Sequence, residues 1–181
     1  VPIYEFAGKR PKVHETAWVA PNADLIGDVQ VGPRCYIGWA AVLRGDHGAI
    51  HIQEGTAIEE GVIMHTSKDF VSRIGVQVTV GHGAMLHSAT VEDFAVIGMR
   101  ATLSNNSIVG RWSIIGEAGL VKANQVVPPE VIAVGQPVQV IGPIEERHRE
   151  HWLTAKSAYQ EFASHNKSKL RLMTKNEDDH I

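Results

Sequence analysis

Residues 91–127 read VEDFAVIGMRATLSNNSIVGRWSIIGEAGLVKANQVV. Every sixth position is aliphatic: Val91, Ile97, Leu103, Val109, Ile115, Val121 and Val127. The same step runs earlier through Val13, Val19, Leu25, Val31, Ile37 and Leu43. It resumes at Ile52, Ile58 and Met64 after one insertion, and at Ile74, Val80 and Leu86 after another. Glycine often comes next, as at Gly38, Gly81, Gly98 and Gly116. A helix repeats at 3.6 residues and a strand at 2, so neither alone keeps a step of six. A parallel β-helix does. Each hexapeptide supplies one short strand and one turn, with its aliphatic side chain pointing inward. Three hexapeptides close a triangular coil, and coils stack at strand spacing, roughly 4.8 Å. The nineteen aliphatic positions therefore make about six coils. A β-sandwich of short strands does not hold one step over so long a run.

The repeat fades after Val127, where Pro128-Pro129 and Gly135-Gln136-Pro137 punctuate the chain. Beyond Pro143 the pattern changes. Trp152, Ala155, Tyr159 and Phe162 fall on one face of a helix, while Glu145, Glu146, Arg147, Arg149, Lys156 and Glu161 lie off that stripe. This spacing predicts a C-terminal helix packed along the β-helix. A polar tail should fray from about Lys167, through Lys175, Glu177, Asp178 and Asp179. The expected architecture is all-β: a parallel β-helix over 1–142, with the helix and tail of the same domain over 143–181.

The 181 residues are the size of one domain. A net charge of −3 argues against a nucleic-acid binder with a basic surface. Charged residues at 20% and hydrophobic ones at 44% fit a folded globule. No apolar stretch approaches the roughly 20 residues that span a bilayer, so no membrane partner is expected. Val1–Arg10 has no basic segment followed by an apolar run, so no signal peptide is expected. The lone Cys35 excludes an internal disulfide framework. Together these features predict a cytoplasmic protein.

Three histidines interrupt the repeat. His65 follows the inward Met64, and His87 follows the inward Leu86, one full coil later. The two should share one corner of adjacent coils, roughly 5 Å apart, where two imidazoles can share a metal ion. His82 lies one side of the triangle earlier. The five residues from His82 to His87 reach at most about 17 Å when extended, so His82 should not meet its own chain's pair. A neighbouring chain can supply it. Three prisms about a threefold axis would close such a contact, giving three sites shared between subunits of a homotrimer. Three histidines with an open fourth position are the layout of a catalytic zinc site.

The chain resembles gamma-class carbonic anhydrase homologues, in particular the bacterial subgroup of carnitine-operon and phenylacetate-pathway accessory proteins. The matching segments are Ala20-Pro21-Asn22-Ala23, Ile26-Gly27-Asp28-Val29, Val42-Leu43-Arg44-Gly45-Asp46, Met64-His65-Thr66, Gly81–His87, Ile97-Gly98-Met99 and Val134-Gly135-Gln136-Pro137. They extend over residues 10 to 160. The resemblance implies a left-handed β-helix, a homotrimer, and zinc or another divalent metal such as iron or cobalt at His65, His82 and His87. It implies interface ion pairs at Arg44 and Asp46. It places Glu59 where glutamine is usual, beside the metal, to orient its water or act as its base. Tyr159 matches a tail-helix tyrosine that reaches the site in some relatives. His47, beside Asp46, could shuttle protons.

The expected activity is that of a carbonic-anhydrase-like lyase: reversible hydration of CO2 to bicarbonate by a metal-bound hydroxide. An alternative is an acyl-CoA thioesterase or acyltransferase, since many acyltransferases share the hexapeptide repeat. His14, His47 and His51 are the histidines outside the metal set that a transferase could use. A second alternative is a non-catalytic trimeric scaffold. It is suggested by Glu59 and by the short insertion at Lys68–Val71, where some active relatives carry a longer acidic loop.

Overall fold

The computed structural model describes residues 1–173. The chain winds as a three-walled parallel β-helix. The first wall stacks the strands Trp18–Val19, Tyr36–Ile37, Ala57–Ile58, Thr79–Val80, Val96–Ile97, Ile114–Ile115 and Val131–Gly135, all parallel. The second wall carries Ile63–His65, Met85–His87, Thr102–Leu103 and Leu120–Val121, and the third Val71–Ile74, Thr90–Val91, Ile108–Val109 and Val126–Val127. Two long strands, Asp24–Val31 and Val42–Ile52, bend round the corner and serve both of these walls.

The six-residue step is the register of this stack. Leu25, Leu43, Met64, Leu86, Leu103 and Val121 are successive partners on the second wall, and all are buried. The repeat also continues one step further than the sequence suggests. Ala133 partners Ile115 and is buried, because alanine keeps the inward position without the bulk that marks it in a sequence. The antiparallel strand Val138–Pro143 then covers that last parallel strand. The two insertions lie one above the other at a single corner, where Ala49 N–H donates to Phe70 O and Asp69 N–H to His47 O.

Corner geometry explains the glycines that matter. Gly83 follows His82 with φ +68°, in the left-handed region, and a Cβ on Gly81 would lie 2.8 Å from the Met99 nitrogen of the next coil. His82 is thus held on a tight turn between Gly81, where the next coil leaves no room for a Cβ, and Gly83, whose left-handed conformation Arg100 also adopts one coil on.

The helix Glu146–Lys169 lies on the first wall against Trp18–Val19, Tyr36–Ile37 and Ala57–Ile58. Its docked face departs from the predicted stripe. Trp152, Ala155 and Tyr159 are half-buried as expected, but Phe162 is 49% exposed and Lys156, predicted to face solvent, is 2% exposed. The Lys156 Nζ donates to Thr79 Oγ1 (3.1 Å) and Ala95 O (3.4 Å) and sits 5.9 Å from the Trp152 ring. Apolar periodicity does not register a cation that finds its acceptors on another element. The helix also runs past the predicted fraying point, and Lys167 Nζ donates to the Glu15 carbonyl. Lys175, Glu177, Asp178 and Asp179 of the predicted tail lie outside the described residues.

Burial brings the Lys156 amine down to about 7, against the pull of the Glu59 carboxylate. The folded chain therefore holds fewer protons than the unfolded one between that value and the ordinary lysine range near 10.4, and stability rises with pH across that window. Lys156→Met removes this cost at the expense of the buried Thr79 hydroxyl, which loses its Lys156 donor, while Ala95 O still accepts Thr79 N–H. The variant should melt roughly 3–10 °C higher at pH 7, with the gap closing towards pH 10, as read by calorimetry at fixed protomer concentration. An unchanged or lower melting temperature at pH 7 would show that the buried amine stabilises the docked helix.

Candidate metal centre

Because Met64 partners Leu86, the residues after them are also in register, and Arg44, His65 and His87 form one row at the corner that leaves the second wall. The His65 and His87 rings are 5.0 Å apart, with His65 Nδ1 3.1 Å from His87 Nε2. Their outer nitrogens are tied down. His65 Nε2 lies 3.0 Å from Asp46 Oδ1, and His87 Nδ1 donates to Asn105 Oδ1. Burial pushes the Asp46 carboxyl up, but His65, the Arg44 guanidinium (Nη1–Oδ2 2.8 Å) and the His47 backbone N–H together outweigh it and hold the acid below its ordinary range. Asp46 is therefore an acceptor, and so is Asn105 Oδ1. With a cation between them, each ring can hold its N–H outward against these acceptors and turn a lone pair, on His65 Nδ1 and His87 Nε2, towards the ion. Burial first, then the Arg44 charge and His87, keep His65 below its ordinary pKa against the opposing pull of Asp46. Neutral rings are the metal-binding form. Two ligand nitrogens at about 2.0–2.1 Å from one tetrahedral cation stand a little over 3 Å apart, so this donor pair fits a metal.

His82 sits on the other corner of the second wall. Its Nδ1 is 2.8 Å from Glu60 Oε2 and its Nε2 3.1 Å from Glu59 Oε2, and its backbone N–H also donates to Glu59 (3.0 Å). Glu60 is fixed from behind by the Tyr36 hydroxyl (2.6 Å). Glu59 is buried, and the Tyr159 hydroxyl of the helix lies within hydrogen-bonding reach of it. Burial raises the Glu59 pKa; Tyr159 and His82 oppose the rise and Glu60 adds to it. Burial, then Glu59, also push the Tyr159 hydroxyl up, so it stays a neutral donor. Tyr159 packs edge-on against Tyr36 at 5.2 Å.

The structure thus brings together His65, His87, Asp46 and Arg44 at one corner, and His82, Glu59 and Tyr159 at another. It does not bring the three histidines together. Among the described residues of one chain, no three His, Cys, Asp or Glu side chains form a metal-holding group. Arg44 and Asp46 pair within the chain. His47 is exposed, its ring 5.9 Å from that of His65. Four participants escaped the sequence reading. Asn105 and Tyr36 act across coils, eighteen and twenty-four residues from the groups they hold. Glu60 was in plain view beside Glu59, and Lys156 was assigned to the solvent face. The register puts Ser104 in line with His87, so Asn105, one residue further along the next coil, is found only in the structure.

No family model matches the chain. Its sequence is 37% identical over 149 residues to the carnitine operon protein CaiE of Escherichia coli K12, spanning 82% of this chain and 76% of that protein. The chain belongs to the gamma-carbonic-anhydrase-like hexapeptide-repeat family. It is 39% identical over 137 residues to the mitochondrial gamma carbonic anhydrase 2 of Arabidopsis thaliana, covering 72% of this chain and about half (49%) of that one. Among solved structures, a Bacillus cereus protein provisionally termed an acetyltransferase superposes with a TM-score of 0.90 at 30% identity, covering 92% of this chain and 96% of that one. A hexapeptide transferase family protein of Anaplasma phagocytophilum gives 0.86 at 28% identity, covering 90% and 96%. The fold is accordingly the left-handed parallel β-helix of these hexapeptide-repeat proteins.

The Glu59 charge acts on Lys156 through the first wall, so the two form a coupled pair. In a double-mutant cycle, Lys156→Met should stabilise the protein more in a Glu59→Gln background than in the natural one, by about 0.5–3 kcal/mol. Effects that add within roughly 0.5 kcal/mol in chemical unfolding would mean that the tail helix is electrostatically independent of the site.

Proposed function

We propose that the protein is a metal-dependent enzyme that hydrates CO2 reversibly to bicarbonate, in three sites shared between the subunits of a homotrimer. His65 and His87 of one subunit and His82 of the next would hold zinc, or another divalent ion such as iron or cobalt. The observation that carries this reading is the stacked pair of rings, with His65 Nδ1 and His87 Nε2 at 3.1 Å and both outer nitrogens engaged, close to the separation of two ligands on one tetrahedral ion. The split arrangement supports assembly. Ile63 and Met85 stand 43% and 48% exposed beside the first two histidines, and Trp39 and Met99 38% and 47% exposed around His82. Large apolar side chains left uncovered on both halves of a site are what an interface would bury.

When bound, a divalent ion lowers the pKa of water from about 15.7 to near 7 and so supplies a nucleophile at neutral pH. The chain's own groups would do the rest. Asp46 and Asn105 orient the two rings, and Glu60, braced by Tyr36, holds the His82 ring through Nδ1. Glu59 lies 3.1 Å from His82 Nε2 and would give up that contact when Nε2 turns to an ion; its freed carboxylate, with Tyr159 beside it, could then take a proton from the attacking water. His47, exposed and beside His65, can pass protons to solvent. A cytoplasmic location completes the proposal; no helix among the described residues is long and apolar enough to cross a membrane.

A second reading, thioester hydrolysis or acyl transfer on acyl-CoA, is favoured by the transferase names of the two superposing structures. One set of measurements separates the readings. The purified protein should sediment as a trimer and bind one divalent ion per chain. His82→Ala should lose most of that metal, and Asn105→Ala should weaken it by about 10–100-fold. Metal-loaded protein should hydrate CO2 in a stopped-flow indicator assay. Unchanged metal content in His82→Ala would remove that residue from the ligand set. A loaded trimer that cleaves acyl-CoA thioesters and leaves CO2 untouched would establish the second reading.

A further inference from the structure

The third wall carries a feature that the metal centre does not use. Lys12, Gln30, His51 and Arg73 are register partners on four successive coils and form one outward row. Beside the first three lies an open groove of about 340 Å³, into which His14 and Gln53 also project. Every polar side chain that lines it can donate a hydrogen bond, and none is a carboxylate. His14 has a defined tautomer: its Nδ1 accepts the Thr16 backbone N–H (3.2 Å) and lies 2.9 Å from the Thr16 hydroxyl, so the ring proton is on Nε2. The Thr16 Oγ1 in turn accepts the Arg34 N–H, which leaves its own proton for His14.

Nearby acids are already partnered. Asp28 faces Lys9 at 3.9 Å, and Glu54 pairs with Arg34 at 2.8 Å. Lys12 and Arg73 belong to no ion pair among the described residues. In a chain of net charge −3, the Lys12 cation and four further donors, His14, Gln30, His51 and Gln53, thus gather in one groove with no carboxylate in its lining; Arg73, one coil on, lines a separate groove with Glu92 and Asp93.

We infer that this groove is a binding site for a phosphate-bearing anion, with Lys12, His14 and His51 as its principal donors. A carboxylate presents two oxygens at one point and would leave most of this array idle. Lys12 and His51 stand two coils apart, roughly 10 Å at strand spacing, and the long Lys12 stem brings its ammonium towards the imidazoles, so that their donors converge on the several acceptor oxygens of a diphosphate. The strand Val42–Ile52 joins the groove to the histidine corner: from Arg44, beside His65, to His51 is seven residues, at most about 23 Å of extended chain. A diphosphate can be free, as pyrophosphate or a nucleotide, or it can be the distant end of a larger molecule such as coenzyme A, whose reactive end lies elsewhere.

Isothermal titration calorimetry on the full chain tests the site, using inorganic pyrophosphate, ADP, coenzyme A and sulfate as separate probes. Pyrophosphate should bind, and Lys12→Ala and His51→Ala should each weaken it about tenfold or more, a loss of roughly 1.4 kcal/mol. His82→Ala should bind it unchanged, which separates this site from the metal centre. Coenzyme A that binds at least about tenfold tighter than pyrophosphate and ADP, and displaces them, identifies the extended ligand as the source. Equal affinities identify the free diphosphate group. No heat from any probe at several millimolar, sulfate binding as well as pyrophosphate, or affinities that ignore both Lys12→Ala and His51→Ala would each overturn the assignment.

Discussion

The in-register stacking of coils is the constraint on which the rest of this molecule depends. One buried aliphatic side chain per hexapeptide, sitting directly on its neighbour in the next coil, aligns the backbones at hydrogen-bonding distance. Each such side chain contributes on the order of 1.5–3 kcal/mol of burial. Whatever follows an inward residue is stacked by the same register. His65 lies over His87 because Met64 lies over Leu86, and Asn105 reaches His87 because it stands one coil further on. A slip of one residue would turn the core outward, so the hydrophobic term that folds the chain also sets the spacing of the histidines.

The electrostatics of the candidate centre divide into two halves. At one corner, Asp46 and Asn105 engage the outer nitrogens of two stacked rings and leave His65 Nδ1 and His87 Nε2 facing each other. At the other, a single imidazole is held between two carboxylates, one braced by Tyr36 and the other in reach of Tyr159. A carboxylate at position 59 adds a buried charge where the resembled proteins mostly carry a neutral amide. Lys156, buried on the facing helix, lies within its field, although burial outweighs that pull and lowers the amine. The tail helix thus bears on the electrostatics of the site as well as covering the first wall.

How legible these features were depended on the range of the interaction. The walls, the coil count and the stacking of His65 on His87 follow from a periodicity that any short window shows. The separation of His82 from that pair followed from chain length alone. Lys156 was misplaced because apolar periodicity assigns a charged residue to solvent, and its acceptors, Thr79 and Ala95, belong to strands more than sixty residues away. Phe162 failed in the opposite sense. It continues the apolar stripe, but the wall it would cover is already occupied by Tyr159 and Ala163.

By itself, the sequence determined the hexapeptide winding, its register and hence the stacked pair of histidines, because one local pattern, repeated, defines both core and spacing. Only the tertiary structure decided the tautomers of those histidines, the grip of Glu59 and Glu60 on His82, and the burial of Lys156. Each of these depends on which acceptor a given N–H meets across coils or between helix and wall. Hydrogen bonds and ion pairs are directional and short-ranged, so they are settled by the final positions of groups that the chain order leaves far apart.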